Sequence, residues 1–201
     1  PANPIWNRAI SGGYAPGSTF KPLVALAALE DEAVTMDELI TCEGIYKFYE
    51  DYRPRCWIWS ENKEVHGSLD VSEAIEKSCN YFFYETSDRM GIDTLVKFAR
   101  YFGLGSKTGV ELQGETAGMV SGKESKEKLH NGEGWSAGDT LQSAIGQYDN
   151  EYSPVQMARY ISILSNGGHR VNPTIIKTIR NADGSEASRE EIEKFVNNKL
   201  N

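Results

Sequence analysis

Tyr14-Ala15-Pro16-Gly17-Ser18-Thr19-Phe20-Lys21-Pro22 decides how the rest of the chain is read. Pro16-Gly17 marks a turn, and an apolar run from Leu23 to Leu29, rich in Ala and Leu, follows directly. That order predicts a helix from Ser18 to about Leu29. Ser18 then sits in the first turn, and Lys21, three residues on, shares its face. A serine hydroxyl becomes a competent nucleophile when a base takes its proton, and a neighbouring lysine serves once its ammonium is deprotonated. The helix N-terminus adds unpaired N–H groups and a partial positive charge, which favour an anion developing there. Pro22 costs little, lying at the edge of the first N–H groups, which have no intrahelical partner. Ser-x-x-Lys alone recurs on many solvated helix surfaces, so the chemistry rests on its surroundings.

Outward from that stretch, Asn7-Arg8-Ala9-Ile10 precedes it. His66-Gly67-Ser68-Leu69-Asp70-Val71, Ala74-Ile75 and Ser78-Cys79-Asn80-Tyr81-Phe82-Phe83-Tyr84-Glu85 come later. With these residues the chain resembles the class B penicillin-binding proteins, the transpeptidases that cross-link peptidoglycan and share Ser-x-x-Lys and Ser-x-Asn motifs with serine β-lactamases. The likeness continues through Trp135, Gly138-Asp139-Thr140-Leu141, Ala144-Ile145-Gly146-Gln147, Ser153 to Arg159 and Asn166-Gly167-Gly168. It implies that Ser18 is the acylated nucleophile and Lys21 its base. It also implies that Ser78 relays the proton to the leaving group and that Asn80 hydrogen-bonds the bound peptide. A hydroxyl and an amide both suit such roles, since each can donate and accept.

The implied fold is α+β, a penicillin-binding and serine β-lactamase-like transpeptidase domain. Residues 1–201 would supply mostly its helical part with a β-hairpin, without most of the central sheet. The implied partners are peptidoglycan stem peptides ending in D-Ala-D-Ala, β-lactam antibiotics and a membrane glycosyltransferase. The implied location is the extracytoplasmic face of the bacterial membrane, and catalysis is expected to need no cofactor. Lys107-Thr108-Gly109 matches the family's third motif in letters only. It follows a glycine-rich stop, Gly103-Leu104-Gly105, so it is expected to be non-catalytic. Without a true Lys-Thr-Gly strand, the 201-residue chain by itself is expected to be inactive. Two alternatives share the motifs: a serine β-lactamase, whose deacylating Glu-x-x-Leu-Asn segment is not seen here, and a β-lactam sensor.

The composition agrees. A 201-residue chain holds one good core with at most a small appendage, and a net charge of −8 argues against nucleic acid. No apolar run reaches the length of a membrane span. Ile40 to Tyr49 and Arg55 to Trp59, rich in β-branched and aromatic residues, flank a turn-like Glu50 to Pro54 and predict a hairpin insertion over Cys42–Trp59. Its aromatics could form a sugar-binding platform, although packing beneath the hairpin is the simpler use. A short helical turn is expected at Met36 to Leu39, helices at Val71 to Lys77, Tyr81 to Met90 and Asp93 to Phe102, and an exposed loop over Ser121–Gly134. Further helices are expected at Gly138 to Gln147, from Ser153-Pro154, and from Ser188 to Lys199, with a strand from Val171 to Ile179.

Cys42 and Cys56, on facing hairpin strands, and His66 just beyond could supply three ligands to a tetrahedral Zn²⁺. Asp51, Asp70, Glu43 or a water would be fourth, although Asp70 also reads as a helix cap. A Cys42–Cys56 disulfide and two free thiols remain the alternatives, and His66-Gly67 belongs to the family pattern with or without a metal. Cys79 is expected to be a small buried residue.

Overall fold

Helices make up most of the regular secondary structure among the described residues. The computed structural model describes residues 5–188, 190–192 and 194. They form two compact units, one comprising Tyr14–Tyr101 with Met119–Glu151, the other the described parts of Pro1–Gly13, Phe102–Gly118 and Tyr152–Asn201.

The first unit begins with a 3-10 turn, Gly17–Phe20, that runs straight into α1 (Lys21–Glu30). The expected helix is therefore present, but Ser18 occupies the tighter turn ahead of it. Pro22 takes the second helical position, where a missing N–H costs nothing. Leu23, Val24, Ala25, Ala27 and Ala28 are buried, as expected of a helix that is apolar on most sides. Met36 to Leu39 forms a turn and no helix.

β1 (Ile40–Cys42), α2 (Trp57–Asn62) and β2 (Gly67–Leu69) follow. β1 pairs antiparallel with β2, Ile40 opposite Leu69 and Cys42 opposite Gly67. This corrects the predicted hairpin. Its two runs share only the Ile45–Arg55 bridge, with the Tyr46 N–H donating to Pro54 O at 2.9 Å and the Cys56 N–H to Gly44 O at 2.8 Å. Pro54 has no N–H to extend the ladder. Gly44, at φ 82°, lies so close to the Trp59 ring that a Cβ would come within 2.5 Å of it. The aromatics that read as strand are instead drawn into a cluster, where Tyr46, Tyr84 and Leu141 are buried beneath Tyr49, Tyr52, Tyr81 and Ile145.

The Asp70 capping box forms as expected: the Glu73 N–H donates to Asp70 Oδ1 at 2.8 Å and the Asp70 N–H to Glu73 Oε2 at 3.2 Å. It opens α3 (Val71–Glu76). α4 (Asn80–Tyr101) joins the two predicted helices across a kink at Gly91, whose φ of 75° is non-helical. α5 (Lys123–Leu129) and α6 (Ala137–Ala144) complete the unit, and α4 packs on both α1 and α6. The expected exposed loop over Ser121–Gly134 is thus corrected. It contains α5, whose Lys126 is buried with its Nζ 2.7 Å from Asp139 Oδ2, and Ser121 Oγ lies 2.6 Å from Ser143 Oγ.

In the second unit, α7 (Pro154–Ser165) starts at Ser153, capped reciprocally with Gln156. Lys107-Thr108-Gly109 lies in a loop. Glu115 accepts from the Thr108 N–H (2.7 Å), the Thr108 hydroxyl (2.6 Å) and the Gly109 N–H (3.1 Å), an internal structural use of that tripeptide. Val171 to Ile179 joins no ladder among the described residues, so the expected strand is not formed. The expected Ser188 to Lys199 helix lies largely outside the described residues.

Candidate active site

Lys21 opens α1 and is 1% exposed. Its Nζ donates to Asn80 Oδ1 at 2.6 Å, Ser78 O at 2.7 Å and Ser78 Oγ at 2.9 Å, and lies 5.6 Å from the Phe83 ring centroid. Burial lowers its pKa to about 8, opposed by the negative charge of the nearby Cys56 and Cys79 sulfurs. A lysine so placed is partly neutral near physiological pH, as a general base must be.

Ser78 and Asn80 are delivered by a tight junction. α3 ends at Glu76 and α4 begins at Asn80, so Ser78 turns the chain with φ 49°. The Ser78 N–H donates to Ile75 O at 3.1 Å and the Cys79 N–H to Ala74 O at 2.9 Å, closing the end of α3. Glycine usually takes this left-handed position. A serine there carries backbone strain of the kind found at functional sites.

Ser18 sits one turn before Lys21 with its side chain exposed, and its hydroxyl makes no hydrogen bond among the described residues. The structure therefore gathers Lys21, Ser78 and Asn80 directly and leaves Ser18 exposed, three residues before Lys21. Unliganded sites often hold such contacts loosely. The turn that carries Ser18 is anchored from α6. Gly17 N–H donates to Gly146 O at 2.9 Å, and a Cβ on Gly146 would lie 2.2 Å from Gly17 O. The sequence places Gly146 only within the helix expected over Gly138 to Gln147; its φ of 70° and this close approach make it a support of the turn that carries Ser18. Gly146→Ala is expected to cost roughly 1–3 kcal/mol of stability and to slow any reaction at Ser18. Thermal unfolding together with the labelling rate at Ser18 checks this.

Next to this site, Cys42, Cys56, His66 and Cys79 converge, each offering one ligand atom, all within 4.8 Å of one another. Cys56 Sγ is 3.9 Å from Cys79 Sγ and 3.5 Å from His66 Nδ1, and all three cysteines are free thiols. The fourth residue of the cluster is Cys79, the middle residue of Ser-x-Asn; Asp51, Asp70 and Glu43 are not among the converging groups. The Cys42–Cys56 disulfide alternative is not formed. Zinc bond lengths of about 2.3 Å to sulfur and about 2.05 Å to nitrogen give tetrahedral edges of about 3.8 Å (S···S) and about 3.6 Å (S···N). Both match the two separations given above. His66 Nε2 is also buried without a partner. Thiol donation from Cys42, then Cys79, holds Cys56 well below the usual thiol range, while hydrogen bonding within the cluster pushes Cys42 and Cys79 up.

Fold and motif order together point to the penicillin-recognising class of domain. The model of the penicillin-binding protein transpeptidase domain matches residues 2–201, and the chain belongs to that family. It is 36% identical over 181 residues to the peptidoglycan D,D-transpeptidase MrdA of Haemophilus influenzae, which covers 90% of this chain and 27% of that protein. Among solved structures, Pseudomonas aeruginosa PBP2 in complex with WCK 5153 superposes with a TM-score of 0.82 at 35% identity, over 92% of this chain and 40% of that one. PBP2 of Helicobacter pylori, in complex with MreC, does so with a TM-score of 0.81 at 29% identity, over 97% and 35%. The chain thus spans little more than a quarter of the curated relative's length. No helix among the described residues is long and apolar enough to cross a membrane.

Proposed function

We propose that this chain carries the acylating centre of a peptidoglycan D,D-transpeptidase, with Ser18 as nucleophile. The observation that carries the reading is the buried Lys21 amine, hydrogen-bonded at once to Ser78 and Asn80 of the second motif. Neutral Lys21 accepts the Ser18 proton as Ser18 Oγ attacks the carbonyl of the penultimate D-Ala. The N–H of Ser18, at the head of the 3-10 turn, faces the oxyanion that forms. Ser78 Oγ passes a proton to the departing D-Ala amine and is recharged from the Lys21 ammonium. The amine of a second stem peptide then attacks the ester, the same groups run in reverse, and Ser18 is released. Asn80 Oδ1 is committed to Lys21, which leaves its amide N–H₂ to donate to the peptide backbone. A β-lactam mimics the first substrate and stays esterified to Ser18. The likeness to peptidoglycan transpeptidases supports a location for the whole protein at the extracytoplasmic face of the bacterial membrane, beside a membrane glycosyltransferase.

The base must be deprotonated to act, so acylation rises with pH and levels off above the Lys21 pKa of about 8. Measuring the rate of fluorescent-penicillin labelling of the full-length protein from pH 6 to 9.5 tests this. A rate that is flat across that range, or falls as pH rises, overturns Lys21 as the base.

The thiol cluster supports a second, structural assignment: Cys42, Cys56, His66 and Cys79 hold a Zn²⁺. Bound there, zinc supplies a cross-link and takes no part in acyl transfer, which proceeds without a cofactor. It would tie β1, the Cys56 turn and the His66 segment to the Ser78–Asn80 junction.

A further inference from the structure

The Tyr49–Tyr52 loop, the first half of α6 and Tyr148 enclose a cleft of about 490 Å³, within the roughly 300–1,000 Å³ of small-molecule sites. Three tyrosines line it, and each is held in place. The Tyr52 ring lies against the backbone of α6 at Gly138, where a Cβ would come within 3.0 Å of it, and the Tyr52 hydroxyl accepts from the Gln142 amide. The Tyr49 hydroxyl donates to Asp88 Oδ1 at 2.5 Å. Tyr148 has a left-handed backbone (φ 61°), stacks on His130 at 5.4 Å and 13°, and meets the edge of Trp135 at 5.6 Å. Non-glycine residues hold such a conformation only where their surroundings over-determine it. These are preorganised aromatic faces.

Charge narrows the ligand. The lining has no basic side chain, which disfavours an anion. Its buried carboxylate, Asp139, is spent on Lys126, while Glu50 and Asp51 are exposed at the rim, where water screens most of their pull on a cation. Inside, the remaining polar groups are neutral: tyrosine hydroxyls, the Gln142 amide and Ser136. A neutral ligand with apolar ring faces and many hydroxyls fits that chemistry, and a saccharide is such a ligand.

Position agrees with it. The first turn of α6 lines the cleft, while Gly146, just past its other end, anchors the Ser18 turn. The eight residues of α6 rise about 12 Å, which an extended peptide spans in about four residues. In peptidoglycan the stem peptide joins a glycan of N-acetylated amino sugars at the end opposite its D-Ala-D-Ala bond. We propose that the cleft is a saccharide subsite receiving the glycan strand from which the stem peptide hangs, an inference that rests on the transpeptidase reading.

The test titrates the full-length protein with N-acetylglucosamine tetramer by calorimetry and saturation-transfer NMR. Saturable binding is expected, weakened about tenfold by Tyr52→Ala and by Tyr148→Ala, and kept within about twofold by Tyr52→Phe. Ala137→Trp, which fills the cleft from its wall, supplies the same loss should the alanine variants fail to fold. Glu50→Gln with Asp51→Asn leaves sugar binding intact. Absence of sugar binding, binding indifferent to the Ala137→Trp change, or salt-sensitive binding of trilysine in place of the sugar overturns the subsite. Penicillin labelling of the wild-type protein, measured in parallel, reports separately on the transpeptidase reading. Labelled protein that ignores the sugar sinks this inference alone, and sugar binding without labelling sinks only the other.

Discussion

Ser18→Ala in the full-length protein is expected to abolish covalent labelling by fluorescent penicillin, and Lys21→Ala to slow it by about 10²–10⁴-fold. The first effect is all-or-none because the ester needs the Ser18 oxygen. The second has two sources that must be separated. Lys21 is a base, but its Nζ also fills three hydrogen-bonding positions at Ser78 and Asn80. Deleting it leaves those acceptors unpaired and opens a hole under Phe83, so lost activity alone could reflect a collapsed junction. Lys21→Arg keeps donors for those acceptors and stays protonated at every working pH, so it cannot serve as the base. If Lys21 is the base, the arginine variant unfolds close to the wild-type temperature yet labels as slowly as the alanine variant. If it only props up the junction, the arginine variant recovers much of the rate. Labelling that persists in Ser18→Ala would end the assignment of the nucleophile.

The site was legible where its chemistry is local. Ser18 and Lys21 lie within one turn, and Asp70 with Glu73 announces the helix that delivers Ser78 and Asn80, so short-range rules suffice. Legibility ended where burial replaced periodicity. Tyr46 and Tyr49 look like strand residues because aromatics favour strands, yet here they pack with Tyr84 and Leu141, and that packing is visible only in three dimensions. α5 was missed for the opposite reason. Its buried positions are Ser125 and Lys126, satisfied by Gly122 O and Asp139, and a polar sequence gives no apolar stripe to detect. Nothing local sets Gly146 apart within the expected Gly138 to Gln147 helix, because the fact that gives it a role, the approach of Gly17, involves residues far away in sequence.

Cys79 belongs to the same class. Spacing cannot pick which distant segment completes such a cluster, and Cys79 lies well beyond the carboxylates nearer to the hairpin. Its placement carries the second large prediction: the full-length protein purifies with one zinc per chain, and Cys79→Ser loses it. Structural zinc contributes about 10–16 kcal/mol of apparent binding free energy in small metal-dependent folds. Losing even about 3 kcal/mol lowers the Tm of a domain of this size by roughly 6–12 °C. Cys56→Ser should behave in the same way, since Cys56 stands closest to both Cys79 and His66. Chelation should convert wild type to the unfolding temperature of the variants and leave the variants unchanged, which separates metal loss from a packing defect. Because Cys79 joins Ser78 to Asn80, metal removal should also slow penicillin labelling through the junction, whereas an Asp51→Asn substitution should alter neither zinc content nor Tm. Elemental analysis with a thiol titration decides the matter. Metal-free protein with three titratable thiols would leave the cluster as buried packing, and loss of two thiols without zinc would mean a disulfide, most readily Cys56–Cys79 at its present 3.9 Å.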